Sequence, residues 1–408
     1  RHDECQPVRH FTRSRDRRGR NTYLASGRVM SGRTIVLAAG GTGGHLFPAE
    51  ALAQEMLERG HRLVLVTDRR GAGHSHTLAN LETHIVRAGT LAGSVGKKIG
   101  GLTNVVAGVV QARALLPRLQ PHAVVGFGGY PSLPTMLAAA RLGTPATIHE
   151  QNAVLGRVNR LLAPRVKAIA LSFARTERVD GEDRAGAVVT GNPVRPDVLR
   201  YRDRPYRGPD AAGPIRLLVF GGSQGANVFS SVVPAALGAL DEPLRKRLQV
   251  VQQCRIEDLE VVRRAYADAG VAADLGTFFD DLPNRMAEAH LVIARAGAST
   301  VFELAAMGRP ALLVPYPHAT DDHQTANANA FSETGAGWTI QQSSFTADDL
   351  FGRLNALLAV PHYLEQAAAA ARRFGVPDAA SRLADLVESL AGTNGERVGQ
   401  RFAHGAAA

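Results

Sequence analysis

Short apolar runs rich in β-branched residues occupy 34–39, 62–67 and 123–127, and stretches of helical character at 47–59 and 134–142 alternate with them. Runs of this length and composition are strands buried on both faces. Strands alternating with helices imply a parallel sheet covered by helices, the α/β class. The alternation resumes with IRLLVF at 215–220 and a helix at 227–240. LVIAR at 291–295, a helix reaching Met307, and ALLVPY at 311–316 follow. Between the two series, 192–214 is crowded with proline and arginine and has no apolar period, which marks a linker.

With 408 residues the chain exceeds what one hydrophobic core usually holds. The pattern places a first Rossmann-like domain at 34–196, a linker at 197–213 and a second Rossmann-like domain at 214–376. A helix at 377–392 has no strand after it and is free to pack back on the first domain. Residues 1–33 read as a disordered basic extension, or as the result of a start placed upstream of Met30, and 393–408 as a disordered tail. A strand–glycine loop–helix unit at Gly41 returns at Gly222, so two similar nucleotide-type folds should face each other across a cleft.

Charge changes this picture little. The net charge is +10, but residues 1–33 carry nine arginines against three acids. The body is only mildly basic, and aromatic residues are 5% of the chain and do not interleave with the basic run, which argues against nucleic acid. The head lacks the apolar centre of a secretory signal. Cys5 and Cys254 make no disulfide framework, as expected in a reducing compartment. The uncharged run from Leu119 to Ala140 is interrupted by prolines and glycines and reads as strand, loop and helix rather than a membrane span.

Three glycine-rich loops precede helix starts: GGTGGH (40–45), GFGGYPS (126–132) and GGSQGA (221–226). Helix N-termini offer free N–H groups and partial positive charge, and glycine lets a ligand approach the backbone. None of the loops has the lysine of a P-loop. GGTGGH begins a dinucleotide fingerprint but has Leu46 where the third glycine belongs. Asp68, after the second strand, keeps a nucleotide-linked reductase open. In ARAGASTVFELAAMGRPALLVPYPHATDDHQ (294–324), Ala298, Ser299 and Thr300 start a helix suited to a diphosphate. Glu303 follows, either accepting from ribose hydroxyls or serving the helix dipole. His318, Asp321, Asp322 and His323 invite a metal reading, but no metal is expected.

GGTGGHLFPA, GFGGYPS, HEQN (149–152), TGNPVR (190–195), GGSQGA and RAGAST…E…PYPHATDDHQ, in this order, resemble the MurG family of bacterial N-acetylglucosaminyltransferases over about residues 34–390. The resemblance implies the GT-B architecture. It implies metal-independent, cofactor-free, inverting transfer of GlcNAc from UDP-GlcNAc to the 4-hydroxyl of MurNAc in lipid I (undecaprenyl-pyrophosphoryl-MurNAc-pentapeptide). The product would be lipid II, for peptidoglycan synthesis, cell shape and division. A UDP-GlcNAc 2-epimerase and a non-catalytic UDP-sugar-binding scaffold are the alternatives.

The resemblance also assigns residues. Ser223 would face the donor diphosphate or sugar, Phe279 the uracil, Ala298, Ser299 and Thr300 the diphosphate, and Glu303 the ribose. Gln324 would take the sugar hydroxyls, with His323 where the family often has a second glutamine. Asn152 and Arg195 would reach the donor from the interdomain side. Thr42, Gly43 and Gly44 stand as donor contacts in a nucleotide reading of their loop. Gly41, Thr42, Gly43, Gly44, Gly128, Gly129 and Tyr130 would receive the acceptor and its pyrophosphate. His45 is the candidate general base. The helix at 94–119, with Lys97, Lys98, Arg113 and Arg118 around Leu102, Val105, Val106, Val109 and Val110, suits an anionic membrane surface or a domain core. A peripheral position on the cytoplasmic face of the inner membrane, and contact with the lipid I synthase and division proteins, are implied; nucleic acid is not.

Overall fold

The computed structural model describes residues 13–15, 21–25, 28–30, 32–41, 43–69, 76–90, 95–222 and 226–392. Arg13–Arg15, Asn21–Ala25 and Arg28–Met30 pair as an antiparallel meander, which the arginine-rich composition does not announce. The first domain is built on β1 (Thr34–Ala38), β2 (Arg62–Thr67), β3 (Glu82–Ile85), β4 (Ala123–Gly126), β5 (Ala146–Glu150), β6 (Ala168–Leu171) and β7 (Ala187–Val189). They form one parallel sheet in the order β7-β6-β5-β4-β1-β2-β3. β1, β4, β5 and β6 are buried almost throughout because helices cover both faces.

The second domain repeats the plan with β8 (Ile215–Phe220), β9 (Leu248–Gln253), β10 (Ala272–Gly276), β11 (Leu291–Ala294), β12 (Ala311–Leu313) and β13 (Gly337–Thr339). Their parallel order is β10-β9-β8-β11-β12-β13. Each sheet grows away from its first strand and then returns to that strand's other side. The reversal falls between β1 and β4 in one sheet and between β8 and β11 in the other. A parallel α/β sheet opens a ligand crevice beyond the strand ends at such a reversal. The loops that follow these four strands are the glycine-rich segments and AGAST.

Helix α1 (Gly43–Glu58) starts a turn earlier than its apolar pattern suggests, and Pro48 lies inside it. Its first turn is therefore GGH itself. Helix α2 (Val95–Leu119) is, from Ile99, long and apolar enough to cross a bilayer. However, Val105, Ala112, Leu116 and Leu119 are buried in the first domain's core, while Ile99, Leu102, Val106 and Val110 are exposed. Helix α3 (Gly129–Leu142) ends at Gly143 in the left-handed conformation.

The seam between the domains is apolar and aromatic. Phe173 of the first domain meets Phe302 edge-on at 4.9 Å, and Phe374 packs near both. At the seam Gly191 has φ +81°, and a Cβ there would lie 2.7 Å from Val376, so a larger residue would force the crossing chains apart. Helix α4 (Ala298–Met307) follows β11, and α5 (His323–Ser332) follows β12. The terminal helix α6 (Ala379–Gly392) returns to the first domain, where Leu383, Ala384, Leu386, Val387 and Leu390 join the core beside α1. Arg59 fastens it by pairing with Asp385 at 2.6 Å and Glu388 at 3.0 Å. Leu383 is fully buried, so Leu383→Ala should cost about 2–5 kcal/mol in a urea titration of the first domain. An unchanged midpoint would show that α6 contributes nothing to that core.

Candidate functional site

Two cavities open at the reversal points, and the start of α1 touches both. One, of about 270 Å³, is lined by His45, Gly129, Tyr130, Asn152 and, from the second domain, Asp321 and His323. The other, of about 430 Å³, is lined by Phe47, Arg195, Phe279, Ser299, Thr300 and Glu303. His45 and Phe47 are two residues apart on one helix, yet they serve different cavities.

In the first cavity His45 sits in the opening turn of α1. Its Nδ1 lies 3.0 Å from Gln151 Oε1. On its other side it meets Gly129, which has φ +69°; a Cβ there would come within 3.3 Å of His45 Nε2. Glycine thus leaves room for the imidazole edge. Gly128 also lines this cavity, in the left-handed region at φ +79°. Gly41 has φ +91°, and Gly43 and Gly44 form the first residues of α1. Thr42 and Ser223 lie outside the described residues.

The turn after β5 organises this cavity. Glu150 is buried, and among the described residues no cation pairs with it. Its Oε1 accepts from Asn152 N and Nδ2, and its Oε2 from Gly156 N and Asn159 Nδ2, at 2.8–3.1 Å. Four donors can satisfy a buried carboxylate. Asn152 in turn accepts from Asn327 Nδ2 at 3.1 Å, and Asn327 Oδ1 accepts from Ala153 N at 2.8 Å. Fully buried Asn327, on α5, thereby ties the second domain to this turn.

A second tie is ionic. Arg157, Arg160 and Arg178 of the first domain converge on Asp321, with N–O distances of 3.4, 3.1 and 3.0 Å. Asp321 and Asp322 both have left-handed backbone, at φ 56° and 53°. Burial alone would raise the Asp321 carboxyl; hydrogen bonds from Arg157 and Arg178 and the charge of Arg160 outweigh it and hold the group at about 2. Asp321 is thus committed to guanidinium groups, and among the described residues no group of three His, Cys, Asp or Glu side chains is placed to hold a metal.

In the second cavity α4 begins at Ala298, which is buried, while Ser299 and Thr300 line the cavity. Ser299 Oγ is buried without a hydrogen-bond partner among the described residues, in a place where a phosphate oxygen would supply one. Glu303 Oε1 accepts from Arg195 Nε at 2.9 Å and forms an ion pair with Nη2 at 2.9 Å, and the Arg195 guanidinium lies 4.5 Å from the centre of the Phe47 ring. Arg195 therefore links both domains at the cavity rim. Phe279 carries the Arg285 guanidinium 4.3 Å over its ring.

Gln324 is placed differently from the other donor candidates. Its Oε1 accepts from Tyr316 N at 2.9 Å, and neither cavity's described lining includes it. Its neighbour His323 lines the first cavity, with Nδ1 2.7 Å from Thr320 O. Asp68 lines a separate cavity with Arg69, Arg87 and Gln111. Sequence reasoning singled out Asn152 from HEQN and missed His149, Glu150 and Gln151. The available signal was a row of polar residues ending an apolar strand. Phe47, Asn327 and the three arginines on Asp321 were also missed, because tertiary packing alone brings them to the site.

Comparison with known proteins follows the same division. Residues 35–171 match the glycosyltransferase family 28 N-terminal domain, and residues 216–383 match the glycosyltransferase family 28 C-terminal domain. The chain is 56% identical over 368 residues to a Rhodospirillum centenum protein. That relative is named UDP-N-acetylglucosamine--N-acetylmuramyl-(pentapeptide) pyrophosphoryl-undecaprenol N-acetylglucosamine transferase; the match covers 90% of this chain and 97% of the relative. The crystal structure of Acinetobacter baumannii MurG superposes with a TM-score of 0.73 at 31% identity, covering 88% of this chain and 99% of that one. A putative UDP-N-acetylglucosamine 2-epimerase from Listeria monocytogenes superposes with a TM-score of 0.62 at 15% identity, covering 88% of this chain and 96% of that one; this shows a shared fold alone.

Asp321 has a lowered pKa, so its ion pairs stabilise fully above its ordinary value of 3.8 and are lost as pH falls through about 2. Asp321→Asn should therefore melt below the unsubstituted protein near neutral pH, with the gap closing as pH is lowered from about 4 toward 2. A gap independent of pH would show that the three arginines do not act on this carboxylate.

Proposed function

Because the chain belongs to glycosyltransferase family 28, with the N-terminal and C-terminal domains of that family in one GT-B architecture, we propose that its two cavities carry out a single sugar transfer. The enzyme is an N-acetylglucosaminyltransferase that moves GlcNAc from UDP-GlcNAc to the 4-hydroxyl of MurNAc in the undecaprenyl-pyrophosphoryl-MurNAc-pentapeptide. The observation that carries this reading is the start of α1, where His45 faces one cavity and Phe47 the other. A sugar held at that junction is reachable from both sides.

The donor takes the cavity at α4. Its diphosphate lies against the N–H groups of Ala298, Ser299 and Thr300, and Phe279 packs beside the uracil. Glu303 accepts from the ribose, which draws the carboxylate away from Arg195 and frees that guanidinium for the diphosphate. Gln324 reaches the sugar hydroxyls once its bond to Tyr316 opens. Ser223 in GGSQGA faces the diphosphate or sugar. The acceptor takes the cavity at His45, with its pyrophosphate received by Gly41, Thr42, Gly43 and Gly44, and Gly128, Gly129 and Tyr130 forming the opposite wall. His45 Nε2 removes the proton of the 4-hydroxyl as its oxygen forms a bond to the anomeric carbon. The bond from that carbon to the diphosphate oxygen breaks on the other face, and UDP leaves with the electron pair. One displacement turns the α-linked donor into a β-linked product. Backbone N–H groups at α4 and the Arg195 charge stabilise the leaving diphosphate, so the chemistry needs no metal.

The lipid acceptor requires contact with a membrane, and α2 supplies the surface. Ile99, Leu102, Val106 and Val110 form an exposed apolar stripe, with Arg113 and Arg118 exposed farther along the helix. Val105 belongs to the core and is not part of this face. A peripheral site on an anionic bilayer follows.

Incubation with UDP-GlcNAc and a short-chain lipid I analogue should release UDP only when the acceptor is present. Formation of UDP-ManNAc would instead indicate the epimerase, and absence of turnover a binding scaffold. His45→Ala should lower kcat by about 10²–10⁴ with little change in donor KM; an effect confined to KM would leave His45 a binding residue. Val106→Asp with Val110→Asp should reduce binding to vesicles containing anionic phospholipid while UDP binding persists. Undiminished vesicle binding would exclude this face as the membrane contact.

A further inference from the structure

Gln151 is buried, and its side-chain nitrogen has three neighbours: the Phe127 carbonyl oxygen at 3.0 Å, the His149 carbonyl oxygen at 3.1 Å and His149 Nδ1 at 3.1 Å. Two of these are carbonyl oxygens, which only accept. The amide must therefore turn its NH₂ toward them and its oxygen toward His45. The reverse orientation would set Oε1 against two carbonyl oxygens in a buried site, a repulsive arrangement. Since Gln151 Oε1 only accepts, His45 Nδ1 carries the proton across their 3.0 Å contact. In a neutral imidazole the lone pair then resides on Nε2, the atom on the Gly129 side.

His149 supports the same arrangement from behind. Its Nδ1 lies 3.1 Å from the Gln151 NH₂, a group that only donates, so its own proton is on Nε2, which donates to the Gly191 carbonyl at 3.2 Å. Ser172 Oγ, 3.4 Å from His149 Nε2, is free to donate its proton to the Glu150 carbonyl at 2.7 Å. Burial, helped by the charge of the neighbouring His45, lowers the pKa of His149 to about 4, against the pull of the Gly191 carbonyl. A protonated His149 would present a donor to the Gln151 NH₂ and release the amide. The chain of bonds from the Gly191 carbonyl through His149 and Gln151 to His45 thus has one self-consistent set of protons.

We propose that Gln151 is a positioning residue that holds His45 in the Nδ1–H tautomer and so reserves Nε2 for the acceptor hydroxyl. This rests on the reading of His45 as the general base. Histidine free in water favours the opposite tautomer, so the partner at Nδ1 decides which nitrogen is available.

The test uses the full chain labelled with ¹⁵N in its histidine rings, the His45 signals being those absent from His45→Ala. Long-range ¹H–¹⁵N spectra at mildly alkaline pH should show His45 protonated at Nδ1 and bare at Nε2. In Gln151→Met the proton should move largely to Nε2. With it kcat should fall at least about tenfold, as catalytic histidines in the wrong tautomer do, while donor KM and UDP binding stay near their original values. A ring protonated at Nε2 in the unsubstituted protein overturns the proposal and needs no variant that must fold. An unchanged tautomer in Gln151→Met also overturns it. A tautomer that switches while kcat holds would leave the role of Gln151 standing and refute His45 as the base.

Discussion

A row of polar side chains is buried at the carboxyl end of β5, and each must be hydrogen-bonded where water cannot reach. Glu150 meets this by drawing in four N–H groups, which curls the following turn around its carboxylate. Asn152 then points to Asn327 of the second domain, and Gln151 points to His45. One local requirement therefore shapes the wall of the His45 cavity, ties the domains together and orients the candidate base. Leaving any of these groups unpaired would cost roughly 1–3 kcal/mol, and more for the carboxylate.

The two domain ties differ in kind. The Asn152–Asn327 contact is partly buried and short-range, with Asn327 itself fully buried, whereas the arginines around Asp321 lie nearer solvent, where ion pairs contribute less. The aromatic seam of Phe173, Phe302 and Phe374 adds an apolar contact to these polar ones. Arg195 stands at the rim of the cavity at α4, paired with Glu303 of the second domain and lying near Phe47 of the first. A ligand that competes for Glu303 would alter that contact between domains.

Much of the fold is legible in the sequence because parallel strands covered on both faces must be nearly continuous apolar runs. TIVLA and IRLLVF show this, and the glycine loops after them mark the strand ends. The short edge strands are less legible: ETHI of β3 is mostly exposed and carries no apolar signature. The start of α1 is also obscured, since glycines and Pro48 weaken the helical pattern where the backbone is already helical. In α2 the apolar residues exceed what one core face needs. Only packing separates Val105, which is buried, from Val106, which is exposed. Of the site, residues carried by contiguous motifs are legible: His45, Asn152, Arg195, Ser299 and Glu303 fall at the two cavities. Gln151 and Asn327 are not, because their importance lies in which distant atom each one faces.

In the proposed reaction α1 carries the base between two substrates. A crystal structure with UDP-GlcNAc and an unreactive lipid I analogue tests it most directly. The MurNAc 4-hydroxyl oxygen should lie about 2.6–3.2 Å from His45 Nε2, with the anomeric carbon of GlcNAc on its far side. A 4-hydroxyl directed away from His45, with another side chain at that distance, would contradict the account.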